Sequence, residues 1–443
     1  MNDDLQDHLR QLPAIDRLLE HPDVAALIEE FSQREVAEAL RGEVERLRRQ
    51  IVESDAPPDL SPEAIDHADL PDIVIRHATD RLRRSGGPFF RKTINAAGIV
   101  LHTGLGRAVL SPRAIERIRD HLDGYSLLQL DPDSGKRSCR DAPIEKLLTQ
   151  LTGAEAATVV NNNAAATAIV LNTLGAGREV IVSRGQLVEI GGAFRLPDVM
   201  RTSGVRLVEV GSTNKTHLRD YAEAITEETA AILRVHPSNY VIKGFSSEVS
   251  AKELADLAHE RGIAMIDDVG AGCLVDVTQF GFKKEPTLPE SVAAGSDIVI
   301  SSADKLIGGP QGGIVLGRKE LVDRVRKNPW ARIVRVDKLT LAALEATLPL
   351  FLDDTWQREC PTFRMLLRTP EDIARHARRL ARGIRKRDVP ADVETQDGYS
   401  QMGSGSLPEQ DLPTRVVVVR PHDIPPDDLA RRMRLRRVPV FTR

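Results

Sequence analysis

A chain of 443 residues with 41% hydrophobic residues can bury a large core and is expected to form two or three domains. Its formal net charge of −4 gives no overall bias toward nucleic acid, so a polyanion site would have to be a local basic patch. Three scattered cysteines without metal-ligand spacing favour a reducing compartment, and no apolar run reaches membrane-spanning length, so a soluble cytoplasmic protein is expected.

Residues 1–85 are predicted to form a separate helical module with its linker. Apolar residues recur at helical spacing from Val24 to Arg49, a proline-rich break follows at residues 56–58, and Ser61-Pro62 is typical of a helix start. Residues 85–88 read SGGP, which indicates the linker. Such a module is usually a docking or oligomerisation element; a helical hairpin packed on the main domain is the alternative.

From Thr93 the pattern changes to alternating strands and helices. This alternation predicts an α/β large domain with a doubly wound, mostly parallel sheet. The β-rich runs are residues 156–160, 179–183, 205–210 and 230–235, and two more precede Asp267 and Lys305.

The first of these strands ends in Asn161, Asn162 and Asn163, and a helix is predicted from Ala164 to Leu174. Free amides at a helix start, with asparagine side chains beside them, suit a phosphate group. By itself the pattern is equally typical of an ordinary helix cap.

Asp267 and Asp268 end another apolar strand, at the sheet edge where such folds place ligand-binding groups. Paired acids also suit a divalent metal, but neither a histidine nor a third carboxylate lies nearby in the sequence, so no metal site is predicted.

Lys305 lies in the glycine-rich stretch SSADKLIGGPQGG at residues 301–313, directly after a strand. Small neighbours let a flat cofactor approach, and desolvation lowers the pKa of an amine, so the position suits Schiff-base chemistry. A surface lysine in a loop is the alternative for this motif alone. Pyridoxal 5′-phosphate requires three groups of this kind: an anion-binding helix N-terminus, a carboxylate at a strand end, and a lysine such as Lys305.

Many separate blocks in this order resemble one family, the bacterial selenocysteine synthases (L-seryl-tRNA(Sec) selenium transferases), which are fold-type I pyridoxal phosphate transferases. The matching blocks are LPAID at 12–16, LHTGLGR at 101–107, VVNNNAAA at 159–166, SRG at 183–185, VEIGG at 188–192, VH at 235–236, SNY at 238–240, DKL at 304–306, GGPQ at 308–311, VDKLT at 336–340 and GSGSLP at 403–408.

The resemblance implies a role for each matching residue. Lys305 corresponds to the lysine that forms the internal aldimine, and Asp268 to the partner of the pyridine nitrogen. Asp304, taken as catalytic, and three arginines correspond to positions around the phosphorylated selenium donor. The arginines are Arg107, Arg332 and Arg335, and the remaining cofactor-binding positions are Asn162, Asn163, Ala164 and His236.

The implied reaction converts L-seryl-tRNA(Sec) to L-selenocysteinyl-tRNA(Sec). Lys305 is displaced by the substrate amino group, removes the α-proton, and water leaves to give aminoacrylyl-tRNA; selenium from selenophosphate then adds. The family also implies a homo-oligomer, specifically a decamer built from dimers, and a tRNA-docking role for the N-terminal module. Two rivals remain: a related lyase or transferase acting on a small molecule, and a non-catalytic tRNA-binding homologue.

Two departures from the family pattern stand out. The segment Arg-Gly-Ser-Arg appears here as RSCR at residues 137–140, which loses a glycine and introduces Cys139. The chain also ends at Arg443, where family members run on. The expected division is therefore a pyridoxal phosphate domain at 86–345 and a small C-terminal α+β domain at 346–443, whose completeness the resemblance leaves open.

Overall fold

The computed structural model describes residues 9–10, 12–53, 70–85, 89–192, 194–408, 410–436 and 438–443. The chain divides into two compact units. One comprises residues up to Ala97 together with Pro421–Arg443, and the other comprises Gly98–Arg420. The division into three domains expected from the sequence, with boundaries after residues 85 and 345, stays a prediction.

The strands are β1 (Ile94–Ala96), β2 (Ala156–Val160), β3 (Glu179–Ser183), β4 (Glu189–Ile190), β5 (Phe194–Arg195), β6 (Arg206–Val210), β7 (Thr229–Val235), β8 (Ala264–Gly270), β9 (Ile298–Ser302), β10 (Gly313–Gly317), β11 (Ala391–Ser400), β12 (Leu412–Pro421) and β13 (Val440–Thr442).

The helices are α1 (Ile15–Leu19), α2 (Pro22–Glu30), α3 (Gln33–Glu53), α4 (Leu70–Ser85), α5 (Pro112–His121), α6 (Ala142–Thr152), α7 (Asn163–Gly175), α8 (Leu196–Thr202), α9 (Leu218–Ala224), α10 (Ala251–Glu260), α11 (Leu288–Ala293), α12 (Lys319–Lys327), α13 (Trp330–Ile333), α14 (Lys338–Thr347), α15 (Pro349–Leu352), α16 (Trp356–Glu359), α17 (Pro361–Leu366), α18 (Pro370–Arg385) and α19 (Pro426–Arg434).

Helices α1 to α4 share a core of their own. Leu18 and Leu27 from the first two helices pack with Leu40 of α3 and Val74 of α4, all of them buried. In the same unit, β1 pairs in parallel with β13 through Ile94 and Val440, so the last residues of the chain belong to the unit that begins it.

The larger unit is built on a seven-stranded sheet with the order β2-β10-β9-β8-β7-β3-β6. Strand β10 runs antiparallel to both of its neighbours, and the remaining pairs are parallel. The carboxyl ends of β2, β9, β8 and β7 therefore meet at one edge. This is the mostly parallel α/β sheet expected from the alternating pattern.

Both faces of this sheet are covered. Alternate residues of one strand enter different apolar clusters: Val299 packs in one, and Ile298 and Ile300 pack in the other. Helix α7, apolar on nearly every side, lies in the second cluster with Ile169 and Leu171 fully buried. Coverage on both faces explains why the strands are continuous hydrophobic runs without alternation.

Most predicted elements agree with the structure to within one or two residues. Helix α10 begins with a capping box, in which Ser250 Oγ accepts the Glu253 amide at 3.2 Å while Glu253 Oε2 accepts the Ser250 amide at 3.1 Å. Helix α19 ends at Arg434, with Leu435 as its C-cap and the Leu435 amide bonded to the Arg431 carbonyl at 3.1 Å.

Some predictions fall on residues that the structure does not describe. The break at Ala56-Pro57-Pro58, the helix start at Ser61-Pro62 and the Gly86–Pro88 part of the linker lie outside the described residues. Within the described part of the chain, no helix is both long and apolar enough to cross a membrane.

Candidate active site

The carboxyl edge of the central sheet collects the chemically distinctive side chains. Asp268 lies near the end of β8, His236 directly follows β7, and Lys305 comes three residues after β9. The end of β2 leads through Asn161 into α7. Parallel strands thus bring together residues that are up to about 140 positions apart in the chain.

Asp268 is held by the first turn of α7. Asn163 Nδ2 donates to Asp268 Oδ1 at 2.9 Å, and Thr167 Oγ1 donates to Oδ2 at 2.9 Å. The Gly270 amide adds a bond to Oδ1 at 3.1 Å. Burial raises the pKa of Asp268, while these three donors and the nearby Lys305 oppose that rise. The hydrogen bonds fix the carboxylate yet leave acceptor sites on Oδ2.

The start of α7 lies at the same sheet edge. Asn162 is the N-cap, and its Oδ1 accepts the Ala165 amide at 2.8 Å. Gly313 at the start of β10 lies directly against the Asn162 carbonyl, leaving no room for a Cβ atom. The N-terminus of α7 is therefore held against β10 at the sheet edge, and the positive end of the helix dipole points toward that edge.

Lys305 is almost fully buried, with 7% of its surface exposed. Among the described residues, its amine forms no hydrogen bond or salt bridge. Burial, followed by the positive charge of Arg107, lowers the pKa of Lys305; the carboxylates of Asp268, Asp304 and Glu285 act in the opposite direction. A buried amine of lowered pKa is suited to nucleophilic and general-base work.

Asp304, the residue before Lys305, is paired with Arg107. Arg107 Nη1 donates to Asp304 Oδ2 at 2.8 Å, and the Ala108 amide donates to the Asp304 carbonyl at 3.3 Å. Arg107 has a positive φ of 60°, a conformation unusual for an arginine. The pair holds the 101–107 loop beside the lysine.

His236 lies at the same edge and has a buried acidic neighbour. Its amide donates to the Asp268 carbonyl at 2.9 Å. Its Nε2 atom lies 3.4 Å from Oε2 of Glu285, which is 3% exposed.

Arg332 and Arg335 lie on α13 and just after it, in a segment that contacts the end of β2. Arg335 forms a backbone bridge with Val160, and the Asn161 amide donates to the Val334 carbonyl at 2.9 Å. This segment therefore borders the start of α7. Within the described residues, neither guanidinium makes a hydrogen bond or salt bridge.

Arg140, from the altered RSCR segment, joins this basic region. Burial lowers the pKa of Arg140, and the charges of Arg335, Arg137 and Arg332 lower it further. Its guanidinium donates to Gln129 Oε1 at 2.7 Å. The new thiol, Cys139, donates to Asp141 Oδ1 at 2.9 Å and so occupies a local hydrogen bond.

These residues fit pyridoxal 5′-phosphate. The amine of Lys305 is buried and without a partner among the described residues, the carboxylate of Asp268 is held in place, and Asn163 Oδ1 is buried without a hydrogen bond. This cofactor needs three groups: an amine, an acceptor for its ring nitrogen, and a helix terminus that binds its phosphate. The described residues contain no group of three His, Cys, Asp or Glu side chains able to hold a metal ion.

The structure places the predicted residues in three sets. Asn163 contacts Asp268, Arg107 contacts Asp304 beside Lys305, and Arg332 and Arg335 lie by the end of β2. Ala164 contributes only helix backbone, and no hydrogen bond connects it to the other predicted residues in the described structure. Two residues were missed by sequence reasoning. Thr167 follows Asn163 at i+4 and was detectable as the same helix face, whereas Glu285 carried no local signal.

Comparison with known proteins points in one direction. A family model described as L-seryl-tRNA selenium transferase matches residues 93–443, and one described as selenocysteine synthase N terminal matches residues 9–48. The L-seryl-tRNA(Sec) selenium transferase of Geobacter sulfurreducens is 44% identical over 98% of this chain and 92% of its own length. The protein of that name from Nitratidesulfovibrio vulgaris is 49% identical over 83% of this chain and 77% of its own.

Among solved structures, D-glucosaminate-6-phosphate ammonia-lyase superimposes with a TM-score of 0.55. It is 20% identical, and the match covers 82% of this chain and 89% of that one. At 20% identity, this similarity supports a shared fold and says nothing about the reaction.

Proposed function

The chain belongs to the L-seryl-tRNA selenium transferase family, and we infer that it is a pyridoxal phosphate-dependent transferase that converts L-seryl-tRNA(Sec) to L-selenocysteinyl-tRNA(Sec). The observation that carries this inference is identity of 44% spread over 98% of the chain. Neither the small-molecule rival nor the non-catalytic rival gains support, because the curated relatives carry the selenium transferase name and Lys305, Asp268 and Asn163 lie at one sheet edge.

Pyridoxal phosphate, when bound, supplies an aldehyde that condenses with amines and an aromatic ring that accepts the electron pair released at the α-carbon. We propose that Lys305 holds the cofactor and that α7, capped by Asn162, receives its phosphate. Asp268 would accept a hydrogen bond from the ring nitrogen through its remaining acceptor sites. Asn163 and Thr167 keep that carboxylate in position.

Lys305 Nζ is also the proposed base. Its lowered pKa makes the neutral amine accessible, so Nζ can take the α-proton of the seryl group and return a proton as hydroxide leaves. Asp304, bonded to Arg107, keeps a negative charge close to that amine. Burial of Lys305 excludes water from the proton being transferred.

We propose selenophosphate as the selenium donor, bound by Arg107, Arg332 and Arg335. Guanidinium groups match an oxyanion with paired donors. Support comes from the position of the Arg332–Arg335 segment beside the start of α7. The charges of Arg335 and Arg332 also lower the pKa of Arg140, and a bound anion would offset the repulsion within such a basic cluster.

We further propose a cytoplasmic homo-oligomer, with a decamer built from dimers as the specific expectation. Several large apolar side chains are highly exposed, including Phe89, Phe90, Tyr125 and Leu127. Exposed apolar groups of this size are typical of association surfaces. Light scattering of the purified protein tests the number of subunits.

The first prediction concerns Lys305. Borohydride reduction of the cofactor-loaded protein should attach the cofactor to this residue alone, and Lys305→Ala should lose both the label and the conversion of seryl-tRNA(Sec) in the presence of selenophosphate. Lys252→Ala, which removes an exposed lysine on α10, is the matched control and should keep both. Peptide mapping reads the label; a label on another lysine would refute the assignment.

A further inference from the structure

Glu285 is a buried carboxylate with two different neighbours at the candidate active site. Its Oε1 atom accepts the Leu407 amide at 2.7 Å. Its Oε2 atom is solvent-inaccessible, forms no hydrogen bond in the described structure, and lies 3.4 Å from His236 Nε2. A buried carboxylate oxygen without a donor costs free energy, so a position that keeps one calls for an explanation.

The Leu407 side of Glu285 is a strained turn. Four residues of this turn have positive φ angles: Gly403, Ser404, Gly405 and Leu407. Glycine adopts such angles freely, whereas serine and leucine do so only at a cost in free energy. A Cβ atom at Gly405 would lie 2.9 Å from Ser238 Oγ, so the turn packs closely on the segment that follows His236. Glu285 thus supplies a hydrogen bond to a backbone that needs external support.

The His236 side of Glu285 leads to the reacting groups. The His236 backbone is bonded to Asp268, and the negative charge of Glu285 acts on Lys305 together with those of Asp268 and Asp304. Glu285 therefore lies between the strained turn and the lysine site. Of its two carboxylate oxygens, Oε1 accepts a hydrogen bond from the turn and Oε2 has none in the described structure.

We propose that Glu285 is a positioning residue of the lysine site: its Oε2 atom holds His236 with the ring proton on Nε2, and its Oε1 atom holds the 403–408 turn against Ser238. The inference rests on the proposed reaction at Lys305. A carboxylate is required because it only accepts hydrogen bonds, so it selects the Nε2–H form of the imidazole and fixes the ring orientation.

Glu285→Gln separates the two contacts. The glutamine Oε1 atom can still accept the Leu407 amide, whereas its NH₂ group faces His236 and requires Nε2 to become an acceptor. In cofactor-free protein at a pH where the ring is neutral, ¹⁵N NMR should find the His236 proton on Nε2 in wild type and on Nδ1 in Glu285→Gln. A proton on Nδ1 in wild type, or an unchanged tautomer in the variant, would overturn the proposal.

Amide hydrogen exchange tests the turn. Glu285→Ala removes the acceptor, so exchange at Leu407 should be roughly tenfold faster than in wild type, whereas Glu285→Gln should stay within about twofold. Equal exchange in all three proteins would show that Glu285 does not hold the turn and would overturn that half of the proposal.

Asp297→Asn is the matched control. Asp297 is also a buried acid beside a histidine, with Oδ2 lying 3.2 Å from His259 Nε2, but it precedes β9 at the opposite edge of the sheet. This variant should lower thermal stability without moving the His236 tautomer or the Leu407 exchange. A change in either readout would indicate a general loss of stability and would count against the positioning role.

Turnover completes the test. Glu285→Gln should lower kcat for seryl-tRNA(Sec) by about tenfold to a hundredfold with little change in KM, as expected when a supporting contact is lost. An unchanged kcat would overturn the role in the reaction. The NMR and exchange measurements need neither cofactor nor tRNA. A wild-type protein that transfers no selenium would therefore refute the proposed function alone.

Discussion

Two residues that form a salt bridge with each other, Arg107 and Asp304, have opposite effects on the pKa of Lys305. Arg107 lowers the pKa of Lys305, and Asp304 raises it. Arg107→Ala removes the cation and leaves Asp304 without its partner, so both consequences favour the protonated amine. Asp304→Asn removes the anion and leaves the cation, which favours the neutral amine.

The second prediction follows from these signs. In cofactor-free protein, the pH midpoint for acetylation of Lys305 should lie below the ordinary lysine value, rise in Arg107→Ala and fall further in Asp304→Asn. Mass spectrometry across a pH series measures the midpoint, with the exposed Lys252 as internal control. Shifts of the same sign in both variants would contradict the charge arrangement.

The third prediction concerns Asp268. Asp268→Asn should retain some cofactor but lose at least about a hundredfold in turnover, because a neutral amide does not keep the ring nitrogen protonated. Thr167→Val keeps the side-chain shape and removes one donor to Asp268, so a smaller loss is expected. Single-turnover kinetics compare the two. Full activity in Asp268→Asn would transfer the role to the neighbouring Asp267, which is instead paired with Arg234 at 2.9 Å.

At the residue scale, the sequence indicated the groups that we propose to react more clearly than the groups that hold them in place. Lys305 and Asp268 follow apolar strands, and that local pattern is visible in one dimension. Glu285 follows neither a strand nor a motif; its contacts with His236 and Leu407 join segments 49 and 122 positions away. Such a contact arises only from the pairing of strands and the packing of the loops between them.

Among the elements, α7 and the segment around α13 form a basic border at the end of β2. The start of α7 presents the positive end of its dipole, and the neighbouring segment carries Arg332 and Arg335. Cations beside a helix N-terminus repel its dipole unless an anion lies between them. The border therefore suits two anionic groups, which we propose to be the cofactor phosphate and the selenium donor.

The fourth prediction separates these two anions. An Arg332→Ala, Arg335→Ala double variant should still catalyse the elimination of water from seryl-tRNA(Sec). It should fail to incorporate selenium from selenophosphate. Among the described residues, no hydrogen bond or salt bridge joins either arginine to Asp268 or Lys305, so the first half-reaction should be spared. The measurement is accumulation of aminoacrylyl-tRNA, or of the pyruvyl-tRNA to which it decays, without selenocysteinyl-tRNA. Normal selenium transfer would place the donor site elsewhere.

The elements themselves were largely predictable, whereas their order in the sheet was not. Mainly apolar runs such as residues 156–160 and 298–300 indicate buried strands. The insertion of β10 between β2 and β9 joins strands more than 150 residues apart, and its antiparallel direction leaves no periodic signal in the sequence. Only Gly313, which must lie directly against Asn162, hints at that close approach.

At the scale of the whole molecule, the chain combines an acidic net charge with a substrate that is a polyanion. A net charge of −4 provides no general attraction, so tRNA binding must depend on local surfaces. The helical module has its own core around Leu40 and Val74, and residues 9–48 match the selenocysteine synthase N-terminal model. A module with its own core can carry a binding surface without contributing to the lysine site.

The fifth prediction is that removing residues 1–85 spares the lysine site and weakens tRNA binding. The cut retains β1, so its pairing with β13 is preserved, and it leaves every residue of Gly98–Arg420 in place. Borohydride labelling of Lys305 should therefore be unchanged, whereas the Kd for seryl-tRNA(Sec) should rise at least about tenfold, a loss of about 1.4 kcal/mol. Filter binding at fixed salt measures the Kd, with seryl-tRNA(Ser) as the comparison. Equal affinity of the shortened and complete proteins for seryl-tRNA(Sec) would show that the module has a structural role, and loss of the Lys305 label would show that the two parts are not separable.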